Sequence, residues 1–204
     1  MNRVMPDSTI RKASHPGSKN PEIDMAQLSG MDGVKTKIEK IVARAAYDKE
    51  HGKKGAGYTS HYVFYGAPGT GKTTIVQGVL TLYKQHYPND VIAVCAPTGR
   101  AAKRLSELCG CNATTIHSLL RWDLESNTFL VNEKEPLQCD LLIIDEFSMV
   151  DQWLFYNLLK ASKLVKKILI IGDEDQLPSV GCGSVLKDLI ACEQFAVTRL
   201  HKIF

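Results

Sequence analysis

No apolar run in this 204-residue chain reaches the ~18 residues needed to cross a bilayer, so a membrane-spanning helix is not expected. The first twenty residues, MNRVMPDSTIRKASHPGSKN, also lack the apolar centre of a secretion signal. The expected location is therefore the cytoplasm, with no membrane partner. A strong charge of one sign is missing too: 25 Lys and Arg against 22 Asp and Glu leave +3, too small a bias to imply a nucleic-acid or membrane partner. What basic excess there is lies at the front, where residues 1–60 carry 11 basic and 7 acidic side chains (+4) and residues 61–204 carry 14 and 15 (−1). The six cysteines (Cys95, Cys109, Cys111, Cys139, Cys182, Cys192) show no paired C-x-x-C spacing, which favours reduced, packed thiols over zinc ligands or disulfides. There is no internal repeat. What the chain does have is the length of one large domain or two small ones and a hydrophobic content of 44%, enough for a sizeable core.

Residues 1–22 are rich in Ser, Pro, Asn and Lys without hydrophobic period and are expected to form a disordered tail. Residues 23–60 read as a helix and a linker: Val34, Ile38, Ile41, Val42 and Ala45 recur at helical spacing, and HGKKGAG (His51–Gly57) follows as a loop. Residues 61–204 then alternate short apolar strands with amphipathic helices. The strands are Tyr62–Tyr65, Val91–Cys95, Leu141–Asp145, Ile168–Gly172 and Phe195–Leu200. Near-continuous apolar composition suits strands buried on both faces, so the expected fold is α/β, a five-stranded, mainly parallel sheet flanked by helices. Between Arg121 and Pro136 the alternation breaks, and the turn-like ESN there reads as a hairpin insertion.

The strongest chemical signal is GAPGTGKTT, residues Gly66, Ala67, Pro68, Gly69, Thr70, Gly71, Lys72, Thr73 and Thr74, which follows the first strand and opens a helix. Glycines let the backbone curl with N–H groups inward, the helix start adds partial positive charge, and Lys72 supplies an ammonium for β- and γ-phosphates. Thr73 offers a hydroxyl to Mg²⁺. The apolar strand LLIIDE ends in Asp145, suited to the Mg²⁺ water shell, and Glu146, suited to orienting an attacking water. A glutamate directly after the metal-binding aspartate favours hydrolysis over kinase chemistry. In ILIIGDEDQLPS another buried strand delivers Gly172, Asp173, Asp175 and Gln176 to the same sheet edge. Gln176 there reads either as a sensor of the γ-phosphate or as a loop amide serving its local turn.

Taken together, GAPGTGKTT, APTGRAAKRL (Ala96–Leu105), TTIHSLL (Thr114–Leu120), LLIIDEFSMVD (Leu141–Asp151) and ILIIGDEDQLPSVGCGSVLKDLI (Ile168–Ile190) resemble, in order and spacing, the first ATPase domain of superfamily 1 helicases, the RecD-like DNA helicases most of all. The resemblance implies a RecA-like fold and an ATP-driven motor moving 5′ to 3′ on single-stranded DNA in repair or recombination. It assigns Lys72, Glu146 and Gln176 to catalysis, and places Pro97, Thr98, Arg100, Thr115 and His117 along the DNA. It further implies a second RecA-like domain or a partner supplying an arginine finger, absent up to Phe204, so the chain is expected to be an incomplete motor. Read without the resemblance, Arg100, Lys103 and Arg104 fit a solvated helix face equally simply, and His117 fits a structural role.

The sequence departs from the family in having Phe147 where alanine is usual, and in lacking an adenine-reading glutamine just before the first strand. A second likeness covers residues 24–74, where LSGMDGVKTKIEKIV and SHYVFYGAPGTGKTT resemble the approach to the phosphate loop in CbbX-type AAA+ ATPases. That likeness implies a protein remodeller as the alternative activity.

Overall fold

The computed structural model describes residues 61–176, 181, 183–192 and 195–201. The expected tail over 1–22 and the helix and linker over 23–60 lie outside the described residues. Among the described residues there are eight strands: β1 (Tyr62–Tyr65), β2 (Ile92–Ala96), β3 (Ala113–Thr115), β4 (Trp122–Asp123), β5 (Thr128–Phe129), β6 (Leu141–Ile144), β7 (Lys167–Gly172) and β8 (Ala196–Arg199). The helices are α1 (Lys72–His86), α2 (Gly99–Cys109), α3 (Ile116–Leu119), α4 (Gln152–Ala161) and α5 (Val185–Ala191), with a 3₁₀ turn at Phe147–Met149.

Six strands form one sheet in the order β3-β2-β6-β7-β1-β8, every pair parallel. The expected count of five is thus corrected to six. The extra strand, β3, is three half-buried residues, Ala-Thr-Thr, paired to β2 through Val94↔Ala113, Cys95↔Thr114 and Ala96↔Thr115. A short edge strand of polar β-branched residues has no apolar run to announce it. The antiparallel pair β4 and β5 forms a small separate hairpin, Trp122 facing Phe129.

Alternation along the central strands divides the core between the two faces. Val63, Leu142, Ile144, Ile168 and Ile170 pack on one side with Phe147, Leu154 and Leu158. Phe64, Leu141, Ile143, Leu169 and Ile171 pack on the other with Ile75, Val76, Val79 and Leu80 of α1. Each strand residue therefore has a helix to bury against, which is why β6 shows no exposed position.

The helix boundaries follow from local chemistry. α1 starts on Gly71, in the left-handed region at φ 80°, without a side-chain cap, and Pro88 follows its C-cap Tyr87. α2 is capped by Thr98, whose Oγ1 accepts from Ala101 N at 3.2 Å, and stops at Gly110, φ 58°. α4 is capped by Asp151, whose Oδ1 accepts from Leu154 N at 2.7 Å. Because all six strands run the same way, the residues that follow β1, β6 and β7 emerge along one edge.

Candidate active site

The loop after β1 closes on itself before α1 begins. Thr70 is 3% exposed and its hydroxyl donates to Ala67 O at 2.8 Å, while Gly69 and Gly71 take φ of 81° and 80°. The uncapped start of α1 carries no acidic side chain in its first turn, so its N–H groups and dipole offer a site for anions. Gly66 N donates to Gly172 O at 3.2 Å, tying the loop to the end of β7. Lys72 folds back across this junction, with Nζ 2.7 Å from Gly66 O and 3.3 Å from Asp173 Oδ2. Asp173 is 1% exposed, so the ammonium and carboxylate form a largely dehydrated pair.

Asp145 and Glu146 leave β6 next to this loop. Asp145 N donates to Cys95 O at 3.0 Å and Asp145 Oδ1 accepts from Glu146 N at 2.9 Å, so the first acid is held by both neighbouring backbones. Burial pushes the Asp145 carboxyl above the usual carboxylate range, and the nearby Glu146 charge adds to this; the Glu146 N–H, Lys72 and Arg104 pull the other way. Glu146 sits at φ 53°, ψ 38°, a conformation costing about 1–2 kcal/mol for a residue with a Cβ. That turn points the chain into the 3₁₀ segment, where Phe147 is fully buried and its ring meets Phe155 edge-on at 5.4 Å. The phenylalanine thus occupies core space behind the acid pair.

Thr73, Arg104, Asp145 and Glu146 line a cavity of about 20 Å³, room for one water. Glu146 Oε2 is buried with no hydrogen-bond partner among the described residues. A hydroxyl and two carboxylates around such a space are hard oxygen donors and fit Mg²⁺. No group of three or more His, Cys, Asp or Glu side chains is assembled to hold a metal among the described residues, so an ion here would need phosphate oxygens and water to complete its shell. Arg104, read from the sequence as part of a solvated helix face, is exposed and also lines this cavity; its place beside the acids was missed. The pairing of Asp173 with Lys72 was missed as well, because it joins residues 101 positions apart.

Gln176 lies beyond β7 with its side chain on Ser148, Ser148 Oγ to Gln176 Oε1 being 2.7 Å. Lys72, Thr73, Asp145, Glu146 and Gln176 are therefore gathered at one sheet edge. Of the loop that follows Gln176, residues 177–180 and 182 fall outside the described residues. On the far side of the phosphate loop, Gly66, Thr70, Glu174, Arg199 and His201 line a cleft of about 170 Å³.

The second group of expected residues follows β2, the neighbour of β6, and β3 beyond it. Pro97 and Thr98 follow β2 and Thr115 ends β3, side by side through the Ala96↔Thr115 register, with Arg100 exposed in the first turn of α2. The hydroxyls of Thr98 and Thr115 both cap helices, Thr115 Oγ1 accepting from Ser118 N at 3.0 Å. His117 is exposed, its ring 5.7 Å from Phe129 and 6.3 Å from Trp122.

The chain has relatives among known proteins. A family model described as an AAA domain matches residues 53–182. The ATP-dependent RecD2 DNA helicase of Deinococcus radiodurans is 41% identical over 136 residues, covering 67% of this chain and 18% of the relative. The RecBCD enzyme subunit RecD of Mycolicibacterium smegmatis is 38% identical over 151 residues, covering 63% of this chain and 27% of that one. The chain thus spans about a fifth to a quarter of the length of these relatives. Among solved structures, the Pif1 helicase from Candida albicans superposes with a TM-score of 0.57 at 22% identity, over 82% of this chain and 39% of that one, a likeness of fold. With the domain match running through the loop after β1, the acid pair and the strand that leads to Asp173, the chain belongs to the AAA-domain family, and over this region it is similar to the RecD helicases.

Proposed function

We propose that this chain is the first RecA-like motor domain of an ATP-dependent DNA helicase, hydrolysing ATP in step with movement 5′ to 3′ along single-stranded DNA. The observation that carries the reading is the convergence of Lys72, Thr73, Asp145, Glu146 and Gln176 on one edge of the sheet, beside an uncapped helix start. In this reading the curled loop Gly66–Thr74 receives the phosphates through its N–H groups, and the cleft at Thr70, Arg199 and His201 leaves room for the rest of the nucleotide. Lys72 exchanges its contact with Asp173 for the β- and γ-phosphate oxygens. Mg²⁺, when bound with the nucleotide, neutralises charge on those oxygens, and Thr73 and Asp145 are the residues that would hold it.

Glu146, with a buried and unpartnered carboxylate oxygen, accepts a hydrogen bond from water and aligns it with the terminal phosphorus. Gln176 donates to the γ-phosphate and reports its loss to the loop that follows. The catalysis is positioning and electrostatics. Pro97, Thr98, Arg100, Thr115 and His117 form the DNA-facing edge; since both threonine hydroxyls serve as caps, their contribution there falls to main-chain groups, to Arg100 and to the His117 ring.

An arginine finger from a second RecA-like domain or a partner is worth ~10³ to 10⁵ in rate in related phosphoryl transfers. We therefore assign residues 1–204 slow hydrolysis on their own. The test is ATP turnover by this chain with and without single-stranded DNA, beside the Lys72→Ala variant. DNA-stimulated turnover that vanishes in Lys72→Ala is expected, whereas turnover indifferent to both would overturn the proposal.

A further inference from the structure

Ser148 has no role in the chemistry described so far, yet it bridges the two segments that carry it. It lies two residues beyond Glu146, on the 3₁₀ turn Phe147–Met149. That turn is anchored from below by the buried ring of Phe147 and closed by Met149 N donating to Glu146 O at 3.2 Å and Val150 N to Phe147 O at 3.0 Å. Its other side rests on the end of β7: a Cβ at Gly172 would lie 3.4 Å from Ser148 N. From this fixed backbone the Ser148 hydroxyl donates to Gln176 Oε1 at 2.7 Å, joining residues 28 apart in the chain.

A glutamine amide has one carbonyl and one NH₂ end, and they point apart. With the Ser148 hydroxyl on the carbonyl, the Nε2 donor of Gln176 is turned away from Ser148 and left for an incoming phosphate. An exposed glutamine otherwise samples three side-chain torsions freely. The same turn fixes Glu146, because its φ of 53° is the entry to the segment that carries Ser148.

We infer that Ser148 is a positioning residue for hydrolysis, linking the phosphate-reading amide of Gln176 to the water-orienting Glu146 so that the two approach or leave the nucleotide together. The inference rests on the role given to Gln176 above, and its test separates the two.

The experiment measures kcat and KM for ATP, with a single-stranded oligonucleotide present, in the full chain and in Ser148→Ala, Ser148→Thr, Gln176→Ala and the Ser148→Ala/Gln176→Ala double variant. Expected are a fall in kcat of about tenfold in Gln176→Ala and about three- to tenfold in Ser148→Ala, with KM within twofold of the parent in both. The double variant should be no slower than Gln176→Ala, since the serine has nothing left to orient. Ser148→Thr, which keeps the hydroxyl, should stay within about twofold of the parent. Near-parental kcat in Ser148→Ala beside a slow Gln176→Ala, or effects that multiply in the double variant, would overturn the positioning role while leaving Gln176 in place. A parental rate in Gln176→Ala would overturn the phosphate-reading role and the inference with it. A raised KM alone in Ser148→Ala, with kcat unchanged, would assign the serine to nucleotide binding and also refute the inference.

Discussion

Gly66 sits directly against Leu200: a Cβ added to it would fall 2.6 Å from Leu200 O and 2.8 Å from Leu200 Cβ. The phosphate loop thus leaves β1 with no clearance from the chain that continues β8, and the contact is to backbone, which cannot rotate aside. Gly66→Ala should therefore destabilise the fold by about 1–3 kcal/mol, the usual range for overpacking. Gly69 offers the contrast, having nothing within 4 Å of its virtual Cβ but a φ of 81°. Gly69→Ala should cost only the left-handed strain of about 1–2 kcal/mol and leave the space around it unchanged. Thermal unfolding of both variants, beside nucleotide affinity, checks the difference: a Gly66→Ala protein as stable as the parent would mean that the loop can move away from β8.

Lys72 and Asp173 should behave as a pair in stability as well as in chemistry. The aspartate is 1% exposed, so Lys72→Ala leaves a buried carboxylate without its cation, a loss of about 3 kcal/mol for such sites. Replacing both by Ala should recover part of that loss, whereas ATP turnover should stay abolished in the double variant. A double-mutant cycle on melting temperature reads the coupling directly, and additivity would show that the two side chains do not interact in solution.

Much of this site was legible before any coordinates, and for a physical reason. Buried parallel strands are apolar throughout, so β1, β2, β6 and β7 stand out, and the polar residues that end them mark one edge. The caps were not read from the sequence: Thr98 was placed along the DNA and Asp151 had no role, yet each accepts from the first turn of the helix that follows it. Pairings between distant segments were hidden: Lys72 with Asp173, Ser148 with Gln176, and Arg104 beside the acids all depend on which strands are neighbours. β3 was hidden for the opposite reason, since its three residues are too few and too polar to show a period.

Asp145 carries a pH signature whose sign follows from burial. Its folded-state carboxyl lies above the ordinary value, so the protonated form is the one that the fold prefers, and the stability tied to it is lost as pH rises through the folded value. At neutral pH the ionised side chain is a cost to the nucleotide-free protein. Asp145→Asn should then raise the melting temperature at pH 7, with the gain shrinking as pH falls through the raised folded value and gone below the ordinary carboxylate value, and should abolish Mg²⁺-dependent turnover. A melting profile parallel to the parent's at every pH would show that the carboxyl is as well solvated as a surface aspartate.

Glu146→Gln separates binding from turnover. The amide keeps the size and the buried position of the carboxyl but cannot draw a proton from water, so nucleotide affinity should stay within a few-fold of the parent while hydrolysis falls by about 10²-fold or more. Equilibrium binding of a fluorescent ATP analogue and single-turnover hydrolysis give the two numbers. Loss of both together would place Glu146 in the binding of the nucleotide and move the water-orienting role elsewhere.

The thiols should differ sharply in reactivity. Cys95 is fully buried and its thiol is pushed well above the ordinary range by burial, whereas a hydrogen bond from Cys109, with help from Lys84, brings Cys111 down to about 7. Near pH 7 Cys111 thus carries more thiolate than an ordinary thiol. Iodoacetamide at pH 7 should alkylate Cys111 roughly tenfold faster than an unperturbed cysteine and should not reach Cys95 in the native fold, as peptide mass mapping over time would record. Equal labelling of Cys111 and Cys95 would mean that α2 does not hold this packing against α1.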